Sequence, residues 1–165
     1  MSWLGRLLSG GFLSPRRPSP DQLAPGNEVR SGEDLWRVTA VLVYRTGADE
    51  WPALKLVRGP ETIWAGLEAS GGVRYDPLPS VDVSEDGRAR WDGRVYALAD
   101  AGEATVTRAV GDVDAAVGAR VRYQTLTSDG DPDRWLSVER WDGGYTEVSA
   151  ARAWRIDRIV RPGAG

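Results

Sequence analysis

The stretch from Val117 to Trp141 alternates apolar and polar side chains, which constrains the fold more than any other feature of the chain. One face would carry Val117, Ala119, Val121, Tyr123 and Thr125, and the other Arg120, Arg122 and Gln124. A period of two is typical of a half-buried β-strand. Turn-forming residues occupy positions 127–133, and positions 135–141 return as a second strand. The stretch therefore predicts a long β-hairpin.

The same plan occurs earlier, because residues 38–44 predict a strand, 46–50 a turn and 51–57 a returning strand. Further short strands follow, with residues 94–98 and 104–110 as two of them, and Asp92-Gly93 is a strong two-residue hairpin signal. We expect an all-β fold, an antiparallel sandwich or barrel. It should have more than about eight strands after residue 26 and no helix longer than about three turns.

The two halves of the chain also match each other in sequence. Pairs at one common offset are Trp51 with Trp135, Gly59 with Gly143, and Thr62 with Thr146. These matches predict an internal duplication with pseudo-repeats over about residues 27–83 and 88–160. The two similar β-units would pack face to face or close into one barrel.

Two absences exclude whole classes of chemistry. The chain has neither cysteine nor histidine, so it has no disulfide, no thiolate or imidazole metal ligand and no Ser-His-Asp triad. We therefore expect no metal and no cofactor. The net charge of −3 does not suggest a nucleic-acid partner. No signal peptide or run of about 20 apolar residues is visible, so the expected location is the cytoplasm.

Residues 1–20 predict an apolar arm followed by a Pro/Arg linker, ahead of an all-β domain over residues 21–165. The arm reads as a short amphipathic helix, and its apolar residues are Trp3, Leu4, Leu7, Leu8, Phe12 and Leu13. An isolated helix of this length is marginal in water, so it needs a surface to dock on. One interpretation is that the arm docks on the inner face of a membrane or on a protein partner. The other is that the arm packs on its own domain or frays.

Eight tryptophans are more than one small core requires. Trp135, Glu139 and Trp141 share one strand face, and Trp51 occupies the matching site of the other unit. These four residues are our candidate binding surface, an aromatic groove with a carboxylate. Alternatively, the tryptophans belong to two aromatic cores. The alternative for Glu139 is that it lies at the rim of the sheet and pairs with an arginine.

Other acidic residues offer weaker signals. Residues 129–133 resemble the opening of a calcium loop but lack its later ligands, and a solvated hairpin turn explains them better. Glu68, Glu103 and Glu139 are candidates for chemistry that uses carboxylates alone, as in glycosidases. No dinucleotide or phosphate-binding glycine motif is present.

Several ordered motifs resemble the bacterial domain of unknown function 4178 family over residues 21–160. In the first half they are Leu23-x-Pro-Gly-x-x-Val29, Trp36-Arg-Val38, Trp51 and Trp64. In the second half they are Tyr96-x-Leu, Gly102-Glu-Ala-Thr-Val106, Gly111, residues 118–123 and Leu136-Ser-Val-Glu139. The resemblance implies no catalytic residue. It does imply accessory work near the bacterial membrane, because members are often encoded beside phage-shock-protein-A-like and small membrane proteins.

Together these observations predict a non-catalytic binding or accessory domain that acts with a protein partner. The apolar arm is the part of the chain expected to contact a membrane or that partner. Two alternatives remain open. One is a histidine-free, carboxylate-dependent hydrolase, which needs two acids about 5–10 Å apart in a cleft. The other is a single-stranded nucleic-acid binder, which needs a basic groove.

Overall fold

The computed structural model describes residues 19–68 and 71–161, which form eleven strands and one 3-10 turn, Pro20–Gln22. The strands are β1 (Glu28–Ser31), β2 (Asp34–Thr46), β3 (Asp49–Arg58), β4 (Glu61–Glu68), β5 (Gly71–Pro77), β6 (Arg88–Trp91), β7 (Arg94–Gly111), β8 (Arg120–Thr127), β9 (Arg134–Trp141), β10 (Thr146–Trp154) and β11 (Arg158–Val160). The all-β prediction is confirmed. Within the described ranges, no helix has the length and apolarity needed to cross a membrane.

Eight of the strands close into an antiparallel barrel. The run β2-β3-β4-β5 is one meander and β7-β8-β9-β10 is another; β5 pairs with β10 and β2 with β7. β1 and β11 extend the sheet beside β2, and β6 extends it beside β7. Closure leaves no free edge in the eight-stranded part. Of the two predicted architectures, the chain forms the barrel.

Both predicted hairpins are present as β2–β3 and β8–β9. The Asp92-Gly93 turn also forms, and both residues have positive φ, 50° and 71°, as a two-residue hairpin turn of this kind requires. The separate strands predicted over residues 94–98 and 104–110 are wrong, because β7 is one strand. Residues 94–97 of β7 pair with β6, residues 97–105 pair with β8 and residues 105–111 pair with β2, and a register shift between Leu98 and Asp100 interrupts the pairing with β8. The pairing of this single long strand with both β8 and β2 closes the barrel.

The core has three layers, and a register shift in β2 changes which layer some of its residues face. Inside the barrel lie Leu42, Tyr44, Val106 and Val121, while Leu54, Leu56 and Ile63 point outward under the segment around β1 and β11. β6 and residues 78–83 cover Leu126, Leu136 and Val138 on the other side. The register shift between Val38 and Ala40 lets Val38 share the outer face with Val41 and Val43. Simple alternation along β2 would have placed them on opposite faces.

The internal duplication stays a prediction. Strand order makes β3 comparable with β8 and β4 with β9, whereas Trp51 lies on β3 and Trp135 on β9. The structure therefore does not support the particular matching of Trp51 with Trp135.

The apolar arm residues Trp3, Leu4, Leu7, Leu8, Phe12 and Leu13 lie outside the described residues, and the helix predicted for them stays a prediction. The chain is attached to the barrel by residue 20, because Arg108 Nη1 donates hydrogen bonds to the carbonyl oxygens of Pro20 (2.8 Å) and Leu23 (2.7 Å). This contact falls at the boundary predicted between the linker and the all-β domain.

Candidate functional site

The barrel encloses a cavity of about 190 Å³ beneath the connection between β7 and β8. Inward side chains from six of the eight barrel strands line it: Leu42 and Tyr44 on β2, Trp51, Ala53 and Lys55 on β3, Trp64 and Gly66 on β4, Tyr75 on β5, Ser137, Glu139 and Trp141 on β9, and Glu147 and Ser149 on β10. Residues 112–115 and Tyr145 complete its rim. The volume is below the roughly 300–1,000 Å³ of drug-sized ligand sites, so the space suits a compact molecule.

The depth of the cavity follows from the alternation along β9. Inward side chains run from Trp135 through Ser137 and Glu139 to Trp141, and register pairs Ser137 with Ser149 on β10. Trp135 is 3% exposed and packs with Val73 and Ala151, which seals the barrel below the serines. The cavity therefore has an apolar floor, a polar middle and an aromatic rim.

A chain of aromatic rings runs along the wall. Tyr44 stacks on Trp51 with ring centroids 5.6 Å apart, and it meets Trp141 at 6.2 Å from the other side of the barrel. Trp141 in turn stacks on Tyr145, 5.9 Å away. Such pairs each contribute about 0.5–1.5 kcal/mol beyond their buried area, so the wall is pre-formed.

Trp64 and Tyr75 complete the aromatic lining from β4 and β5. Neither makes a ring–ring contact within the described residues. The Tyr75 ring lies over Gly66, where an added Cβ would come within 3.2 Å of Tyr75 Cε2. The glycine thus makes room for the ring to lie flat against β4.

Two carboxylates enter the cavity side by side. Glu139 and Glu147 are cross-strand partners on β9 and β10, so their side chains emerge on the same face. Burial raises the pKa of Glu139 to about 7; the charge of Glu147 adds to the rise, and the Trp141 indole N–H and the Tyr44 hydroxyl oppose it. Burial also raises the pKa of Glu147. Trp141 Nε1 makes no well-formed hydrogen bond to either carboxylate or to any other described group.

The cavity is strongly acidic once its ion pairs are considered. Its lining carries four carboxylates, Asp112, Asp114, Glu139 and Glu147, and one ammonium group, Lys55. Lys55 Nζ donates to Asp112 Oδ2 at 2.9 Å and to the Asp112 carbonyl at 3.1 Å, which ties the rim loop to β3. The only lysine of the chain is therefore paired at the rim, and its charge lowers the pKa of Glu147 without cancelling the rise that burial causes.

Three of the four residues predicted as a binding surface line this one cavity: Trp51, Glu139 and Trp141. Trp135 does not, because it belongs to the buried floor. The alternative interpretation, in which tryptophans belong to an aromatic core, fits two residues. They are Trp135 and Trp36, and Trp36 is fully buried in the outer layer. Glu139 makes no ion pair with arginine in the described parts of the chain; it faces the cavity instead of an exposed rim.

Sequence reasoning missed Tyr44, Trp64, Tyr75 and Glu147. One signal was available for Glu147, since it and Glu139 lie four residues on either side of Gly143. A hairpin centred on Asp142-Gly143-Gly144 pairs them directly. The other three come from strands that meet β9 only through barrel closure, so no local pattern places them together.

The remaining acidic candidates lie elsewhere. Glu68 and Glu103 do not line the cavity, and residues 129–133 form the β8–β9 turn. No group of three or more acidic side chains in residues 19–68 and 71–161 is arranged to hold a metal ion.

The family described as Domain of unknown function (DUF4178) matches residues 24–155, most of the chain. The chain belongs to this family. No curated protein and no solved structure matches it. The matched span of the DUF4178 domain contains β1 to β10 and every residue that lines the cavity.

Proposed function

We propose that this DUF4178 domain is a non-catalytic binding module and that its ligand site is the acidic aromatic cavity. The observation that carries the proposal is the convergence of Tyr44, Trp51, Trp64, Tyr75 and Trp141 with two glutamates around one pre-formed space. Concave sites with aromatic side chains, a few convergent polar groups and a residue of perturbed pKa are typical of ligand binding.

A carboxylate-dependent hydrolase is the second candidate, since Glu139 and Glu147 form a close acidic pair and the pKa of Glu139 is raised to about 7. Glycosidases, however, place their two carboxylates on either side of the scissile bond. Here both glutamates project from neighbouring strands of one wall. The arrangement holds a ligand from one side and is a poor fit to that mechanism.

A single-stranded nucleic-acid binder is disfavoured by charge. Stacked aromatics are present, but such proteins set them in a basic groove that follows the phosphates. The lining has four carboxylates and one paired lysine, which would repel a phosphate backbone.

The binding role can be tested with a blocked rim. Ala115 is half-buried and lines the cavity, whereas its neighbour Ala116 is exposed and does not. We expect the wild-type chain and Ala116→Trp, dialysed against a bacterial small-molecule extract, to retain the same compound chemically unchanged. Ala115→Trp should lose it, because the indole would occupy the rim. Mass spectrometry of the released ligand is the measurement.

Retention by both tryptophan variants would place the ligand outside the cavity. Conversion of the retained compound, abolished by Glu139→Gln or Glu147→Gln, would replace the binding role with the hydrolase. Recovery of no compound from any of the three proteins would contradict the proposal.

The accessory role beside a membrane-associated partner is a further part of the proposal, and the apolar arm supports it. Among the described residues, Pro20 is the first to accept a hydrogen bond from Arg108, and a deletion of residues 1–18 keeps this contact. Deletion of residues 1–18 should therefore leave the melting temperature nearly unchanged and reduce sedimentation with anionic liposomes or recovery of a bound partner.

Leu8→Asp in the full chain is the matched point variant, because it introduces a charge into the apolar side of the arm without shortening it. It should weaken the same association, and added salt should weaken liposome binding as well, because Arg6, Arg16 and Arg17 would supply a screened attraction. A large fall in melting temperature on deletion would mean that the arm packs on the domain. No change in either property would remove the arm from the proposal.

A further inference from the structure

We propose that the cavity binds a compact organic cation, a quaternary or protonated alkylammonium group held between the aromatic faces and Glu139. This inference rests on the proposed binding function and specifies its ligand class. It follows from three features of the lining: rings without a cation of their own, an excess of negative charge, and limited space.

Outside the cavity, the protein places cations over the face of one tryptophan ring. Trp36 in the outer core is covered by two guanidinium groups, with Arg58 Cζ at 4.6 Å and Arg74 Cζ at 5.4 Å from the ring centroid. No ring of the cavity has such a partner within the described residues. Aromatic faces attract cations by about 0.5–2 kcal/mol each, more when water is excluded. The cavity thus presents several unoccupied sites of an interaction that the chain uses inside its own core.

The charge of the lining selects the sign of the ligand. Glu139 and Glu147 make no ion pair in the described part of the chain, and Lys55, whose charge lowers the pKa of Glu147, is held by Asp112 at the rim. An anion or a phosphate would meet four carboxylates there, and a neutral ligand would leave Glu139 unbalanced in a site that already penalises its charge. A singly charged cation beside the two carboxylates balances one of their charges, and its own charge is paired.

The aromatic and acidic groups also lie at neighbouring depths in the barrel. Glu139 lies one inward position below Trp141, and its pKa responds to both the Trp141 indole and the Tyr44 hydroxyl. A cation beside Glu139 therefore contacts the rim rings at the same time. The volume of about 190 Å³ limits the ligand to a small head group such as trimethylammonium and excludes a sugar chain or a nucleotide.

Choline and its neutral isostere 3,3-dimethylbutan-1-ol form a direct test, because the two differ in charge and hardly in shape. Isothermal titration of the full chain should give choline a dissociation constant at least about tenfold lower than that of the isostere. The carboxylate 3,3-dimethylbutanoate should not bind. Glu139→Gln and Trp64→Leu should each weaken choline about tenfold or more. Glu139→Gln should leave the weak binding of the isostere nearly unchanged.

Two control variants remove the same groups outside the cavity. Glu33→Gln changes an exposed carboxylate in the β1–β2 turn, and Trp91→Leu removes a ring from β6. Both should bind choline like the wild type.

Proton release gives an independent readout of the same contact. Near pH 7 Glu139 is partly protonated, and a bound cation favours its charged form. Choline binding should therefore release protons, and the affinity for choline should increase as the pH rises from about 6 to about 8. Titrations in two buffers of different ionisation enthalpy measure the release. The other titratable groups that line the cavity are Glu147, Asp112, Asp114, Lys55, Tyr44, Tyr75 and Tyr145, and Glu139→Gln separates their share from that of Glu139.

A free ammonium compound and a choline lipid present the same group. Flotation with phosphatidylcholine vesicles distinguishes them: co-flotation lost in Trp64→Leu assigns the lipid head group, and choline binding without co-flotation assigns a free ligand.

Equal affinity for choline and the isostere, or no binding of choline or tetramethylammonium, would overturn the inference. The proposed function would survive that result if the dialysis experiment retains a neutral or anionic compound that Ala115→Trp loses. The proposed function would fail as well if nothing is retained, if both tryptophan variants retain the compound, or if the retained compound is converted.

Discussion

Replacing Gly111 with alanine is expected to lower the free energy of unfolding by about 2–5 kcal/mol. Gly111 ends β7 with a φ of +89°, a conformation that strains an L-residue. An added Cβ would also collide with the Thr39 carbonyl oxygen, and it would lie 2.7 Å from Pro25 Cγ and 3.1 Å from Ala40 Cα. Two of these three groups are backbone at the bulge of β2, so they cannot rotate away. Chemical denaturation of the two proteins measures the loss.

Gly118 provides the matched control for Gly111. It lies in the same connection with nearly the same φ, +91°, and an added Cβ would have nothing within 4 Å. Gly118→Ala should therefore cost only the backbone strain, about 1–2 kcal/mol. The difference between the two variants isolates the collision with β2. Equal losses would show that β7 moves away from β2 at little cost.

The site of the collision also links stability to the cavity. The Thr39 carbonyl accepts a hydrogen bond of 3.0 Å from the Asp112 N–H, and Asp112 in turn holds Lys55 at the rim. Displacing Gly111 would shift this loop. Gly111→Ala should therefore impair ligand retention even at temperatures where most of the protein is folded, whereas Gly118→Ala should not.

Replacing Glu139 with glutamine is expected to stabilise the folded protein by about 2–3 kcal/mol at about pH 8 and by little at about pH 4. Folding raises the pKa of Glu139 from its ordinary value near 4.5 to about 7, because burial disfavours the charged carboxylate. Between these values the folded chain binds more protons than the unfolded chain. Wild-type stability should thus fall as pH rises through this window. Glutamine carries no charge and removes the share of this dependence that Glu139 contributes, whereas Glu147, whose pKa burial also raises, keeps its own share.

Denaturation curves at several pH values measure this effect, with Glu33→Gln as the control for loss of an exposed negative charge. The control should follow the wild-type pH profile. A wild-type profile that is flat between about pH 5 and pH 8, with no gain in Glu139→Gln, would mean that Glu139 is better solvated than its place in the cavity indicates. A stabilising Glu139→Gln that also loses choline would show a residue retained for binding at the expense of stability.

Local pairing was predictable from sequence alone. The β2–β3 and β8–β9 hairpins follow from alternation on either side of turn residues, and Asp92-Gly93 specifies its turn because both positions need positive φ. Family membership was predictable from ordered motifs on these same elements. On the site, the shared face of Glu139 and Trp141 needs only the period of two along β9.

The tertiary structure decided what depends on distant strands. Closure joins β2 to β7 and β5 to β10, and the pairings of β2 and β7 contain register shifts that the hydrophobic period does not predict. Those shifts determine which side of the sheet Val41 and Val43 face. Closure also brings Tyr44 and Trp141 to 6.2 Å and separates Trp135, at the floor, from Trp51 at the wall. The raised pKa of Glu139 is a consequence of the same enclosure, because only a closed barrel removes that carboxylate from water while Glu147 stands beside it.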